Sequence, residues 1–497
     1  MVPSRFVTAA VGAFSLAAAP GCHRSLPPAD TGFVTTWTAS AYGLARAERL
    51  NPPVASRMFA YAAIALYEGW AAFSDSLRTL AGQLNGLDHL PSPAKGKRYD
   101  PALVAVEAQT TVLEALYRGG FPTTQAAIGI LHDSLVAARR SQGVGELIIR
   151  NSRSYGEELG QAILAWAAQD HFLETRGKPF TMPVGPQYWV PTATEAQYRS
   201  QNLSPEQEMV ELNNPTATAN PGAASERSLI LNRPKHLGMT FTPGVDPTKP
   251  VEPYWGELRT FAIPDANACQ APPPVPFSTK KGSPFYQQAW QVYEVGKTLT
   301  EEQHQIAEFW ADNPGESGTP AGHWIGIISR FANQHHLSPE RAVEAFALAA
   351  IAGADSFIGC WHLKYQVNLV RPYTYIVRYI DPKWQTAIIT PPFPEYASGH
   401  TIQSAATAEV LSGLFGENTP FEDATHVALG HPIKHFPSFR AAAQEVIMAR
   451  LWGGCTTPCQ TRTEQPRGAA WGRRSYGGFT RGGRPDARWA ASDLAAG

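Results

Sequence analysis

The sequence predicts an all-α protein, two helical bundles joined by a long proline-rich loop region. Three observations carry this. Apolar residues recur at the three- and four-residue spacing of a buried helical stripe, as in Val54, Met58, Tyr61, Ala62 and Ala65. No strand-like alternation persists long enough to argue a sheet. Between Pro179 and Pro284 lie 18 of the 42 prolines, which remove donors and fix φ, so extended loop with short helices is expected there.

At 497 residues, 43% hydrophobic and 17% charged, the chain can bury a large core and divides into roughly two to four domain-sized units. With 41 basic against 42 acidic residues and no block of like charge, a role on nucleic acid or a membrane surface has little support. Five cysteines are too few, and too odd a number, for a disulfide framework; Cys269 and Cys360 could pair, but free buried cysteines fit better.

In chain order, Arg5 and the uncharged run Phe6 to Ala19 read as an export signal, too short to span a membrane. The run ends Ala19-Pro20-Gly21-Cys22, which resembles a bacterial lipoprotein cleavage box with Cys22 lipidated; the alternative is an ordinary secretory signal cut nearby. Either way the chain is expected to be exported, periplasmic or at the cell surface. Residues 23–175 form the first bundle, with Pro52-Pro53 opening one helix and others near 101–117, 124–140 and 144–170. Residues 176–298 are the proline-rich connection, whose Trp and Phe content suggests that it packs across the helices. The second bundle spans 299–454. Thr300 to Gln303 is a capping box, and Ser338-Pro339 opens a long apolar helix running towards Arg371. Its stretch Ala342 to Trp361 carries Glu344 and Asp355, which marks a core helix rather than a membrane span. Ser398 starts a helix that stops near Gly416, and a last one runs from Ser438 to Trp452.

Three pieces of the second bundle carry chemistry. Lys364 and Arg371 are seven apart, so both should project from one helix face, with Pro372 placing Arg371 at the helix end. Ser398 and Gly399 offer donors at a helix N-terminus, a ready anion site, and His400 beside them can move protons near neutral pH. Arg450 lies near the end of the last helix. Each is ordinary alone. His335 with His336, and His426, His431 and His435, show no acidic or thiol partner nearby, so a metal site is not expected there.

Together, in this order, the pieces resemble the signature of the vanadium haloperoxidase and type 2 phosphatidic acid phosphatase (PAP2) superfamily: Lys-x6-Arg-Pro, Pro-Ser-Gly-His and Ser-Arg-x5-His. Lys364, Arg371 and Pro372 match the first part. Ser398, Gly399 and His400 match the second, with Ala397 for proline, and Arg450 the third, with Ala449 for serine. Asn51-Pro52-Pro53, Glu302-Gln303 to Trp310, Gly322-His323-Trp324 and Asp355 to Tyr365 extend the resemblance to secreted bacterial haloperoxidases over most of residues 35 to 454. The resemblance implies vanadate as cofactor, with phosphate as competitor or alternative ligand. Arg371 and Arg450 would grip its oxygens, Lys364 act as a point charge that polarises bound peroxide, and Ser398 and Gly399 serve as neutral donors. His400, Lys364 and Asp355 are the catalytic candidates. Trp361 and Phe393 resemble a halide-side wall. Hydrogen peroxide and halide are the implied substrates, giving hypohalous acid to a small organic acceptor without a change in vanadium oxidation state. A PAP2-type acid phosphatase is the alternative activity, since vanadate mimics the phosphorane transition state; a non-catalytic oxyanion-binding lipoprotein is the other.

The tail departs from the pattern. The histidine expected six residues after Arg450, the apical vanadium ligand or the phosphorylated nucleophile, is replaced by Thr456, and Gln460 replaces a later Asp. Residues 455–497 hold no Val, Ile, Met or Lys, one Leu, seven Arg and seven Gly, from which no packed final helix is expected. A shift of reading frame just after Gly454 would account for this: TGC-ACN, encoding Cys455-Thr456, contains the out-of-frame triplet CAC, histidine. A genuine Arg/Gly tail is the alternative.

Overall fold

The structure, a computed structural model, describes residues 26–192, 249–268, 273–457, 468–470 and 472–473. Cys22 with the export signal, Cys269 and much of the proline-rich region lie outside these residues.

The first helical set comprises α1 (Gly32–Ala47), α2 (Pro52–Ala71), α3 (Pro101–Leu116), α4 (Pro122–Ser141), α5 (Glu146–Ala167) and the short α6 (Phe172–Thr175). Asn51 and Asp100 cap α2 and α3 by accepting from the N–H groups of Val54 and Leu103, ahead of prolines that need no donor partner there. Glycines let three of these helices close in. A Cβ on Gly69 would lie 2.4 Å from the Ala105 Cα, and one on Gly156 2.6 Å from the Glu107 Cβ.

The second set comprises α7 (Pro284–Lys297), α8 (Glu301–Phe309), α9 (Thr319–Gln334), α10 (Pro339–Val367), α11 (Pro372–Tyr379), α12 (Gly399–Phe415) and α13 (Phe439–Trp452). A two-stranded antiparallel ribbon, β1 (Phe421–Asp423) with β2 (Lys434–Phe436), stacks the Phe421 and Phe436 rings and packs on α9 and α13. Both halves of the capping box at Thr300 and Gln303 are formed. The two sets share one core: α2 packs on α9 and α10, and α1 on α9. Helix α10 is long and apolar enough to cross a membrane, but its apolar window is wholly buried, so it is the central core helix.

The described part of the proline-rich region packs across α10. Trp255, Phe261 and Ile263 are buried, and the Val251 carbonyl accepts from Trp361 Nε1 (3.0 Å) and the Tyr365 hydroxyl (2.6 Å). Asp355 holds the same segment, accepting from the N–H groups of Phe261, Ala262 and Ile263 at 2.6, 2.8 and 3.1 Å. The expected end of the long helix is corrected. It stops at Val367, because Asn368 turns into the left-handed region (φ 51°) and donates its N–H to the Lys364 carbonyl.

The tail also departs from expectation. Residues 468–470 and 472–473 are helical and lie on α12, where a Cβ at Gly468 or Gly472 would come within 2.4 Å of the Ile402 or Ala406 carbonyl oxygen. Bare glycines and an Arg473–Glu409 ion pair (3.0 Å) dock this stretch without large apolar side chains at those positions.

Candidate active site

The turn at Asn368 changes how the first two cations meet. Arg371 is not on α10; it is the extended N-cap of α11 (φ −70°, ψ 148°), with Pro372 at the first helical position. The two side chains converge on a loop instead. Lys364 Nζ and Arg371 Cζ each lie 4.9 Å from the Phe393 ring centroid. Lys364 donates to the carbonyls of Pro394 (2.8 Å) and Glu395 (3.1 Å), and Arg371 Nε to that of Phe393 (2.8 Å).

That loop leads into α12. Ser398 caps it, its hydroxyl oxygen accepting from the Thr401 N–H and hydroxyl. Gly399 is pressed against the indole of Trp361; a Cβ there would be 3.1 Å from Cζ3. His400 follows in the first turn, where the backbone of Ala311 bears on its ring. From α13, Arg450 Nη1 donates to the Trp310 carbonyl (3.4 Å). The charges of Arg450 and Lys364 bear on His400, and that of Arg450 on Arg371, so the four groups from four elements share one neighbourhood. Thr456 closes it: Arg371 Nη1 donates to the carbonyl of the preceding Cys455 at 3.1 Å.

Burial sets the electrostatics. Lys364, Arg371 and Arg450 are 1%, 2% and 3% exposed, and Glu395 is the carboxylate that bears on Arg371. Burial lowers the Arg371 guanidinium to about 10, with Cys455 and Glu395 opposing, so it stays charged at neutral pH. Burial, then Arg450, holds His400 well below the usual imidazole range, leaving it neutral and able to take a proton. Among the described residues, the buried Arg371 Nη2, His400 Nε2, Thr456 Oγ1 and Thr457 Oγ1 have no hydrogen-bond partner. Clustered buried cations with unused polar atoms are costly without an anion between them.

Two sequence candidates sit differently from the reading given to them. Asp355 lies nine residues before Lys364, about 180° round the helix and roughly 13 Å along it, and its carboxylate is spent on the 261–263 segment. It clamps a loop and does not join the site. Trp361 and Phe393 do form a wall, with ring centroids 4.9 Å apart, but the indole N–H is committed to Val251 and is not available to a halide. Cys360 is buried, and its thiol donates to the Ala397 carbonyl at 3.4 Å.

A second cluster of buried titratable groups lies beside the site. His323, fully buried, sets Nδ1 2.9 Å from Asp312 and Nε2 2.8 Å from Asp423, while His426 Nε2 lies 3.3 Å from Asp312. The expectation that His426 has no acidic partner is thereby corrected: the fold supplies one from another element, a contact that no local spacing could reveal. Asp312 and His426, with Glu308, Glu316, Ile388 and His431, line an open cavity of about 490 Å³. Ile388 packs on Cys455, so the cavity runs beside the loop that carries Thr456.

Fold and site define a class: a helical-bundle protein with a buried, polycationic pocket for a compact oxyanion. Residues 344–481 match the family model for the VCPO second helical-bundle domain. The chain resembles the crystal structure of the first bacterial vanadium-dependent iodoperoxidase at 30% identity and a TM-score of 0.74, over 92% of this chain and 98% of that one. It also shares the fold of a holo-type bacterial vanadium-dependent chloroperoxidase, at 13% identity and a TM-score of 0.65 over the same shares. The apo-type chloroperoxidase structure matches at 14% and 0.62, over 86% of this chain and 94% of that one. No curated protein matches. The chain belongs to the vanadium-dependent haloperoxidase family, within the superfamily shared with the PAP2 phosphatases.

The family implies vanadate, and the donor set fits it as an oxyanion: three buried cations, a helix N-terminus and the orphaned Arg371 Nη2. It does not fit it as a nitrogen-ligated cofactor. Thr456 offers a hydroxyl where the ligand imidazole is expected, and a hydroxyl is a poor donor that stays protonated near neutral pH.

Proposed function

We propose that this chain is a vanadate-binding, haloperoxidase-type protein whose site is built to oxidise halide with hydrogen peroxide to hypohalous acid, and whose turnover is impaired by Thr456. The observation that carries it is the convergence of Lys364, Arg371 and Arg450, all buried, on unused polar atoms at the start of α12. Vanadate, when bound, supplies the Lewis-acid centre for peroxide activation. The chain's own residues bind and orient the anion, exclude water through Trp361 and Phe393, and offer a neutral His400 to take or return a proton at Nε2. Phosphate, with the same shape and charge, competes for the pocket. A small organic acceptor would enter through the cavity between Glu308 and Ile388. Export, with or without a lipid on Cys22, belongs to the same reading.

The test is a titration of the full chain with vanadate, followed by displacement with phosphate. Saturable binding that phosphate reverses, and that Arg371→Ala or Arg450→Ala weakens by at least about tenfold, is expected from removal of a buried charge-assisted contact. Binding unaffected by both substitutions would overturn the reading.

A further inference from the structure

We propose that His323 is a positioning residue for the oxyanion site, acting through Asp312 on the three-residue segment Trp310–Asp312 that holds Arg450 and His400. The inference rests on the oxyanion reading above and adds to it a part that lies outside the sequence signature.

The segment after α8 has three consecutive outputs. The Trp310 carbonyl accepts from Arg450 Nη1, the Ala311 backbone bears on the His400 ring, and the Asp312 carboxylate faces His323 Nδ1 with both oxygens, at 2.9 and 3.1 Å. Asp312 adopts φ 51°, a left-handed conformation uncommon outside glycine, so its backbone needs outside contacts to hold it. His323 supplies them. Its ring is stacked between Trp310 (centroids 4.3 Å, 22°) and His426 (4.4 Å, 27°), and Phe309 meets its edge at 5.3 Å. On the far side Nε2 reaches Asp423, at the end of β1. Trp310 is held a second time by its indole N–H, which donates to Glu445 on α13 at 2.8 Å. A shift of His323 therefore moves backbone that bears on two site residues.

Burial alone would lower the His323 pKa, but two carboxylates, one at each nitrogen, raise it to about 10; the ring is a cation at neutral pH. Asp312, His323 and His426 could also hold a divalent metal, their ligand atoms lying within 4.8 Å of one another. The cation is preferred because both His323 nitrogens already face carboxylates and the two imidazoles are nearly parallel, so their lone pairs do not converge on a shared point.

The test uses the full chain labelled at histidine nitrogen, read by NMR, with inorganic phosphate as ligand. Expected are a His323 signal that stays doubly protonated through pH 8 and, in His323→Gln, a displaced His400 signal with phosphate binding weakened on the order of tenfold, as changes behind a ligand shell do. The control is His132→Gln. His132 is likewise buried and bonded to two carboxylates, Glu107 and Asp133, but in the first helical set; its loss should lower stability and leave His400 and phosphate affinity unchanged. If His323→Gln does not fold, Asp423→Asn frees only the outer nitrogen and carries the same readouts. An unmoved His400 signal in a folded variant overturns the proposal, as does zinc binding that removes the His323 ring proton. If the parent chain binds no phosphate, the oxyanion reading falls, while the His400 signal still decides this one.

Discussion

Thr456 is where sequence and family part most sharply, and its surroundings say what a replacement would do. Its hydroxyl is buried without a partner, and the preceding carbonyl accepts from Arg371, so position 456 adjoins one of the site's cations. Thr456→His is expected to confer vanadate- and peroxide-dependent bromination of a dye, where the parent chain shows little or none. Equal rates would mean that another residue supplies the ligand, and brisk hydrolysis of phosphomonoesters without halogenation would favour the phosphatase alternative. Gly399 supports a second prediction. Its missing side chain lets Trp361 close on the helix start, so Gly399→Ala must push the indole by a few tenths of an ångström. A loss of about 1–2 kcal/mol in urea unfolding is expected, with weaker vanadate binding; unchanged binding would place the anion away from this backbone. The residues at motif spacing were legible in the sequence because their order is itself the signal. Asp312 was not, and His323 was legible only within Gly322-His323-Trp324 and without a role, since their meeting depends on how α8 and α9 pack.

Helix starts were legible for a local reason: Asn51, Thr300, Ser338, Ser398 and Ser438 each cap a helix with their own side chain, and that chemistry is written within four residues. The end of α10 was not. Nothing within a few residues of Val367 but Asn368 signals the turn, and it replaced an expected shared helix face by two elements meeting over Phe393. Asp355 shows the same limit, because a carboxylate inside a core helix reads as catalytic until its three backbone donors are seen. Asp355→Asn keeps the shape but offers one acceptor oxygen in place of two, so a loss of about 1–3 kcal/mol is expected, with anion affinity unchanged. A variant of full stability that cannot bind vanadate would return Asp355 to the site.

Coupling between the two helical sets through one core makes global unfolding the readout for distant charges. His323, raised to about 10, contributes stability that is complete below its unfolded value of 6.5 and lost as pH rises through 10; Asp312 and Asp423, both lowered, contribute stability present above 3.8 and lost on acidification. The cluster therefore supports the fold between roughly pH 4 and 10, and His323→Gln should flatten the alkaline limb of a stability–pH curve; an unaltered limb would mean that the ring is neutral. The tail makes the last claim. The family match runs to residue 481, past the point where the reading frame is suspected to shift, and Gly468 and Gly472 seat their stretch on the carbonyls of Ile402 and Ala406. Ile402 lies within the first turn of α12, the helix whose start carries Ser398, Gly399 and His400, so the tail packs on the helix that opens at the anion site. Replacing both glycines by leucine should therefore cost about 1–3 kcal/mol at each position and weaken phosphate binding together with stability. Sequencing the coding DNA around codon 454 tells a genuine tail from a shifted frame, and the double variant tells a docked tail from a dangling one. Unfolding curves that superimpose for parent and variant would show that these glycines touch nothing, and the site would then be complete at Thr457.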